Sequence, residues 1–158
     1  MKHEISFGTV SSGTMRTEDL IPAFVDELLW LDPENSKALE IKNKLDNLDD
    51  EFDETNIYYS SEDSDFDLQE LFDAMDEICY TTPYCYFGSH PGDGADYGFW
   101  IDHEAIEDDV RFGELLSVED LADVPDKYEG NVIVTNDHGN MTLYNVHKGK
   151  TTEVWGIV

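Results

Sequence analysis

From Leu45 to Val110, 66 consecutive residues contain no lysine or arginine and 21 aspartates or glutamates. An acid in this stretch finds no basic partner close by in sequence. Like-charge repulsion therefore goes largely uncompensated and works against a compact state. Folding requires these carboxylates to sit at the surface, on one side of elements whose other side is apolar. The wider composition permits that. Hydrophobic residues make up 40% of the 158-residue chain and aromatics 12%, richer than acidic tails that stay disordered.

The whole chain carries 37 acidic and 9 basic residues, a formal charge of −28. Direct nucleic-acid binding is disfavoured, because phosphate contacts need clustered Lys and Arg. Docking to an anionic membrane is disfavoured for the same reason. No apolar run approaches the ~20 residues of a membrane span, and Met1-Lys2-His3-Glu4-Ile5 lacks the apolar stretch of a signal peptide. Cys79 and Cys85 are too few for a disulfide framework and lack C-x-x-C spacing. A reduced, cytoplasmic protein (in the cytoplasm of a host cell) with two free thiols is expected.

Hydropathy spacing predicts a short strand over residues 4–10. A helix follows in which Thr17 caps and Leu20, Ile21, Phe24, Val25, Leu28 and Leu29 form the apolar stripe, ending at Asp32-Pro33. Ser36 is placed to cap a second helix through Leu48, giving a helical hairpin. Asp65 or Asp67 opens a third, with Leu68, Leu71, Phe72, Met75, Ile78 and Cys79 on one face and Glu70, Asp73, Asp76 and Glu77 over much of the rest. From residue 84 the period becomes strand-like. Residues 84–87 and 97–101 flank a loop, Ser117 with Asp120 resembles a capping box for a short helical turn, and strands 131–135, 141–146 and 151–158 form an antiparallel meander. Trp30, Trp100 and Trp155 are expected in core and sheet packing. The predicted class is α+β: one domain, 1–158, with a strand and helical hairpin in 1–48 and an acidic connecting segment in 49–67. A helix and an antiparallel sheet of about five strands occupy 68–158.

Chemistry-bearing clusters are sparse. His90, Asp93 and Asp96, in a Gly-rich loop over 88–98, could converge on a metal and serve a small metal-assisted hydrolase. Gly and Asp close turns in the same way without chemistry. Asp63-Ser64-Asp65-Phe66-Asp67 resembles the start of a calcium loop, but Leu68 stands where the loop needs Gly and Ala74 where it needs Glu. No G-x-S-x-G elbow or glycine-rich nucleotide loop is present. No cofactor, metal or catalytic residue is assigned.

What remains is the charge itself. Duplex DNA carries one negative charge per ~1.7 Å of axis, so a net −28 matches roughly 48 Å of duplex if presented on one face. Carboxylates held at such intervals offer a DNA-handling protein what it expects from phosphates, and its Lys/Arg groove steers the encounter. In this general character the chain resembles the DNA mimics by which phages block restriction or CRISPR nucleases. Four stretches, Ser12-Gly-Thr-Met-Arg-Thr-Glu-Asp-Leu-Ile-Pro-Ala-Phe24, Tyr86-Phe-Gly-Ser-His-Pro-Gly-Asp-Gly-Ala-Asp-Tyr-Gly-Phe-Trp100, Asn136-Asp-His-Gly-Asn-Met-Thr-Leu-Tyr144 and Glu153-Val-Trp155, resemble a family of small acidic proteins of phages and mobile elements. That resemblance implies a phage setting and lends no catalytic residue. The expected function is a non-enzymatic DNA-mimic inhibitor whose partner is a host nucleic-acid-binding protein with a basic groove. An acidic adaptor for some other basic protein is the alternative beside the hydrolase, and a homodimer is left open. The candidate partner-binding residues are Asp49, Asp50, Glu51, Asp53, Glu54, Glu62, Asp63, Asp65, Asp67, Glu70, Asp73, Asp76 and Glu77.

Overall fold

A computed structural model of the chain describes residues 3–48 and 54–158, with side chains of the 54–59 helix described from Ile57 on. Among them are five α-helices and two sheets, so the class is α+β. The single sheet of about five strands is replaced by one of three and one of four. The chain divides into two compact units, Met1–Ile101 and Asp102–Val158, each containing one sheet.

In the first unit β1 (Gly8–Ser11) leads into α1 (Thr17–Leu31), α2 (Ser36–Asp46), α3 (Glu54–Tyr59), α4 (Glu62–Cys79), β2 (Cys85–His90) and β3 (Asp93–Ile101). The strands pair antiparallel in the order β1-β3-β2. β1 runs beside β3 so closely that a Cβ on Gly98 would lie 2.0 Å from the Gly8 carbonyl oxygen. Only glycine fits there. The core is built by Leu20, Ile21, Phe24, Val25, Leu28 and Leu31 of α1 with Ala38, Ile41, Leu71, Met75, Phe87 and Phe99. Phe24 lies at its centre, edge-on to Phe72, Phe87 and Tyr97 at centroid distances of 5.1, 5.2 and 5.9 Å. Such edge-to-face contacts add to the apolar area that aromatics bury.

Helix caps refine the spacing. Arg16, not Thr17, is the N-cap of α1 and makes no side-chain cap bond; Pro22 lies inside the helix. Asn35, not Ser36, caps α2 by accepting from the Ala38 N–H at 3.0 Å. Ser61 caps α4 through the Ser64 N–H, so this helix opens at Glu62, a turn earlier than the apolar pattern indicates. Part of the supposed connecting segment is therefore helical. Trp30 is 57% exposed and stacks on His3 at 3.9 Å rather than entering the core.

The second unit contains α5 (His103–Arg111), β4 (Leu116–Val118), a 3-10 turn (Leu121–Asp123), β5 (Gly130–Thr135), β6 (Met141–His147) and β7 (Lys150–Ile157). The meander β5-β6-β7 is antiparallel as its spacing predicts, whereas β4 joins β5 parallel. Ser117 lies in β4, and Asp120 alone caps the short turn by accepting from the Ala122 N–H at 2.9 Å. Val132, Ile133, Leu143, Val146 and Trp155 are buried within the strands of this unit.

Candidate acidic docking face

Helix α4 sorts its acids into two sets. The buried side carries Ser64, Asp67, Leu71, Met75 and Cys79. Asp67, one of the acids expected to bind a partner, is 6% exposed and turned inward. Its Oδ2 accepts from Tyr58 Oη at 2.6 Å and from Lys44 Nζ at 2.7 Å. Burial, and then the neighbouring Asp67 carboxylate, push the Tyr58 phenol well above its ordinary pKa. Lys44 also lies 5.8 Å from the Tyr58 ring centroid, within cation–π range. Glu70, at the edge of the face, pairs with Lys37 Nζ at 2.9 Å, and Lys37 also reaches Glu40 at 3.3 Å. These acids, Glu70 first, hold the Lys37 ammonium above its ordinary pKa. Two of the three lysines of α2, Lys37 and Lys44, are thus paired with acids of α4. Distant in sequence but near in space, they supply the partners that the local sequence lacks.

The outward side is different. Glu62, Asp63, Asp65, Asp73, Asp76 and Glu77 are all exposed. Among the described residues none of them is in an ion pair. Fifteen rises of ~1.5 Å separate Glu62 and Glu77, the ends of this row, by roughly 22 Å. Six carboxylates over that length approach the spacing of phosphates along one DNA strand, one per ~3.4 Å. Phe66 and Tyr80, 71% and 83% exposed, stand among them. By helical periodicity, residues 62, 66, 69, 73, 76 and 80 share a single stripe.

Local stability accounts for some of these acids but not all. Glu62, Asp63 and Asp65 lie in the first turn, where the helix macrodipole favours negative charge. Asp76 and Glu77 lie in the last, where it disfavours negative charge, and no basic residue stands in that turn.

The remaining candidates are less informative. Asp49, Asp50, Glu51 and Asp53 lie outside the described residues, and for Glu54 only its place at the start of α3 is described. Of the apolar groups interleaved with these acids, Tyr58 is buried, Tyr59 is half-buried and Ile57 is 67% exposed. Asp63, Asp65 and Asp67 are helical, so they cannot wrap an ion as a calcium loop does. The loop over 88–98 is mostly a β-hairpin, with Gly88 opposite Gly98 and Ser89 opposite Tyr97. His90 Nδ1 accepts from the Gly92 N–H at 2.9 Å and Asp93 Oδ1 from the Ala95 N–H at 3.0 Å, so both side chains close the turn. Asp96 Oδ1 is buried without a hydrogen-bond partner. Among the described residues no three His, Cys, Asp or Glu side chains are placed to hold a metal ion. No described helix is long and apolar enough to cross a membrane.

No family model, curated protein or solved structure matches the chain.

Proposed function

We propose that the outward face of α4 docks in the cationic groove of a nucleic-acid-binding protein, where its carboxylates take the positions of backbone phosphates. The chain then acts as a non-enzymatic inhibitor. A phage or mobile-element origin and a restriction or CRISPR nuclease as target belong to the same proposal.

The observation that carries it is the placement of Asp76 and Glu77. They are exposed at the helix end where the dipole opposes them, without a cation in the turn. Two acids that weaken the helix they stand on are explained by a partner outside the chain. Phe66 and Tyr80 support a protein partner in particular, because exposed aromatics beside charges are typical anchors of protein interfaces.

The test is capture on the immobilised chain at low salt from lysate of a bacterium bearing restriction and CRISPR systems. The triple variant Asp73→Lys, Asp76→Lys, Glu77→Lys serves as control. The proposal expects proteins that elute in a salt gradient, are displaced by duplex DNA and do not bind the variant. Capture that duplex DNA leaves untouched, or that the variant retains, overturns it.

A further inference from the structure

Two thiols that are unremarkable in the sequence meet in the fold. Cys79 ends α4 and Cys85 begins β2, with residues 80–84 between them. The turn is tight: the Thr82 N–H donates to the Cys79 carbonyl at 2.9 Å and the Cys85 N–H to the Thr82 carbonyl at 3.2 Å. Tyr84 adopts φ +62, a left-handed conformation that a bulky L-residue seldom takes. This bend sets Cys85 beside the helix end. The Cys85 thiol donates to Cys79 Sγ at 3.5 Å, and the Cys79 thiol donates to the Met75 carbonyl at 3.4 Å. Cys79 is 3% exposed, whereas Cys85 is half-buried and within reach of solvent.

We propose that Cys79 and Cys85 form a reversible intramolecular disulfide that fastens the C-terminal end of α4 to β2. The sulfurs must approach from 3.5 Å to the ~2.05 Å of a bond. The oxidant is a low-molecular-weight disulfide such as glutathione disulfide. Cys85, the accessible thiol, attacks first as its thiolate, joins one glutathione half and releases the other as thiolate. Cys79 then gives its proton to solvent, and its sulfur attacks Cys85 Sγ and expels the second glutathione. Two protein thiols are oxidised and one glutathione disulfide is reduced to two glutathiones. The order of steps follows from exposure and hydrogen bonding. The hydrogen bond with Cys85 first, and then burial, hold the Cys79 thiol up. Once Cys85 is capped in a mixed disulfide that hydrogen bond is gone. The site does not depend on the partner proposed for the acidic face.

The experiment incubates the folded wild-type chain in glutathione buffers of rising disulfide content. Samples are then acid-quenched, alkylated after unfolding and read by intact mass. Both thiols are expected to disappear together, giving a chain lighter by two hydrogens, free of glutathione and restored by dithiothreitol. Two alkylated thiols in the most oxidising buffer, or a lasting glutathione adduct on the wild type, overturns the proposal. Cys85→Ser, at the half-exposed position, tests the order: Cys79 should take up no glutathione while the chain is folded. Rapid uptake contradicts Cys85 as the entry point.

Discussion

Tyr58 and Asp67, nine residues apart on successive helices, share a 2.6 Å hydrogen bond between a buried hydroxyl and a buried carboxylate. Lys44 completes the arrangement from α2 at 2.7 Å. This cluster ties three helices together. Removing the carboxylate by Asp67→Ala leaves the Tyr58 hydroxyl unsatisfied and Lys44 without its partner. The expected loss is about 1–3 kcal/mol, since Lys44 is partly in water and a wholly buried pair would cost more. Tyr58→Phe should cost about 1 kcal/mol. A double-mutant cycle read by denaturant unfolding checks the coupling, and additive losses would mean that the two groups act independently.

The same pair sets an alkaline limit. The Tyr58 pKa is raised in the folded state above its ordinary value of 10.0, so between the unfolded and folded pKa values the unfolded chain has released a proton that the folded chain keeps. Stability is full below about pH 10 and falls as pH rises above it. Thermal melts from pH 8 upward should show this decline, and Tyr58→Phe should make it shallower. An unchanged alkaline slope in the variant would assign the decline to other groups.

Much of the first unit is legible in the sequence because apolar periodicity dictates it. The buried stripe of α1 and the inward Leu71, Met75 and Cys79 of α4 follow directly from spacing. Asp67 was hidden for a physical reason. Stepping back four residues from Leu71 reaches it, but the stripe there is continued by Ser64 and Asp67 while Phe66 faces solvent, so hydropathy inverts where geometry does not. The acidic face is legible as composition, yet which acids are neutralised depends on α2 lying along α4. The division into two sheets rests on distant pairings, Gly8 with Phe99 and Leu116 with Val132, that no local pattern encodes. Helix α5 fully buries only Ile106, with Ala105 and Val110 half-buried, so its apolar stripe is short among many acids; Asp102 caps it through the Ala105 N–H at 3.0 Å.

Gly98 is where β1 docks. Its substitution by Ala drives a methyl against the Gly8 carbonyl, a backbone atom that cannot step aside as a side chain would. Gly98→Ala should therefore cost at least about 1–3 kcal/mol, the range for overpacked interiors. Gly94→Ala is the control, because a Cβ there meets nothing within 4 Å. Equal unfolding midpoints for the two variants would contradict the close approach of β1 and β3.

Glu129 holds the turn between β6 and β7. Its carboxylate accepts the Lys148 N–H at 2.8 Å and lies 2.9 Å from His147 Nδ1. The Lys148 N–H first, then His147, lower the Glu129 pKa below 4.5. A lowered folded pKa means that its contribution is present above the unfolded value and is lost as pH falls through the folded one. In an NMR titration Glu129 should protonate below ordinary glutamates, with the Lys148 amide shifting over the same pH range. Glu129→Gln should abolish that amide shift, and a persisting shift would trace it to another group.

The acidic face of α4 allows stability and docking to be separated. Asp76 and Glu77 oppose the helix dipole, so replacing each by Lys should stabilise the chain by about 0.3–1 kcal/mol at low salt. Sodium chloride should raise the melting temperature of the wild type more than that of Asp76→Lys, Glu77→Lys. The Debye length falls from about 10 Å at 0.1 M to about 3 Å at 1 M, which screens repulsion that the variant has already lost. If docking uses this face, the stabilised variant should lose DNA-displaceable capture. A variant that melts earlier than the wild type would show that these acids serve the fold, and the case for an external partner would lose its main support.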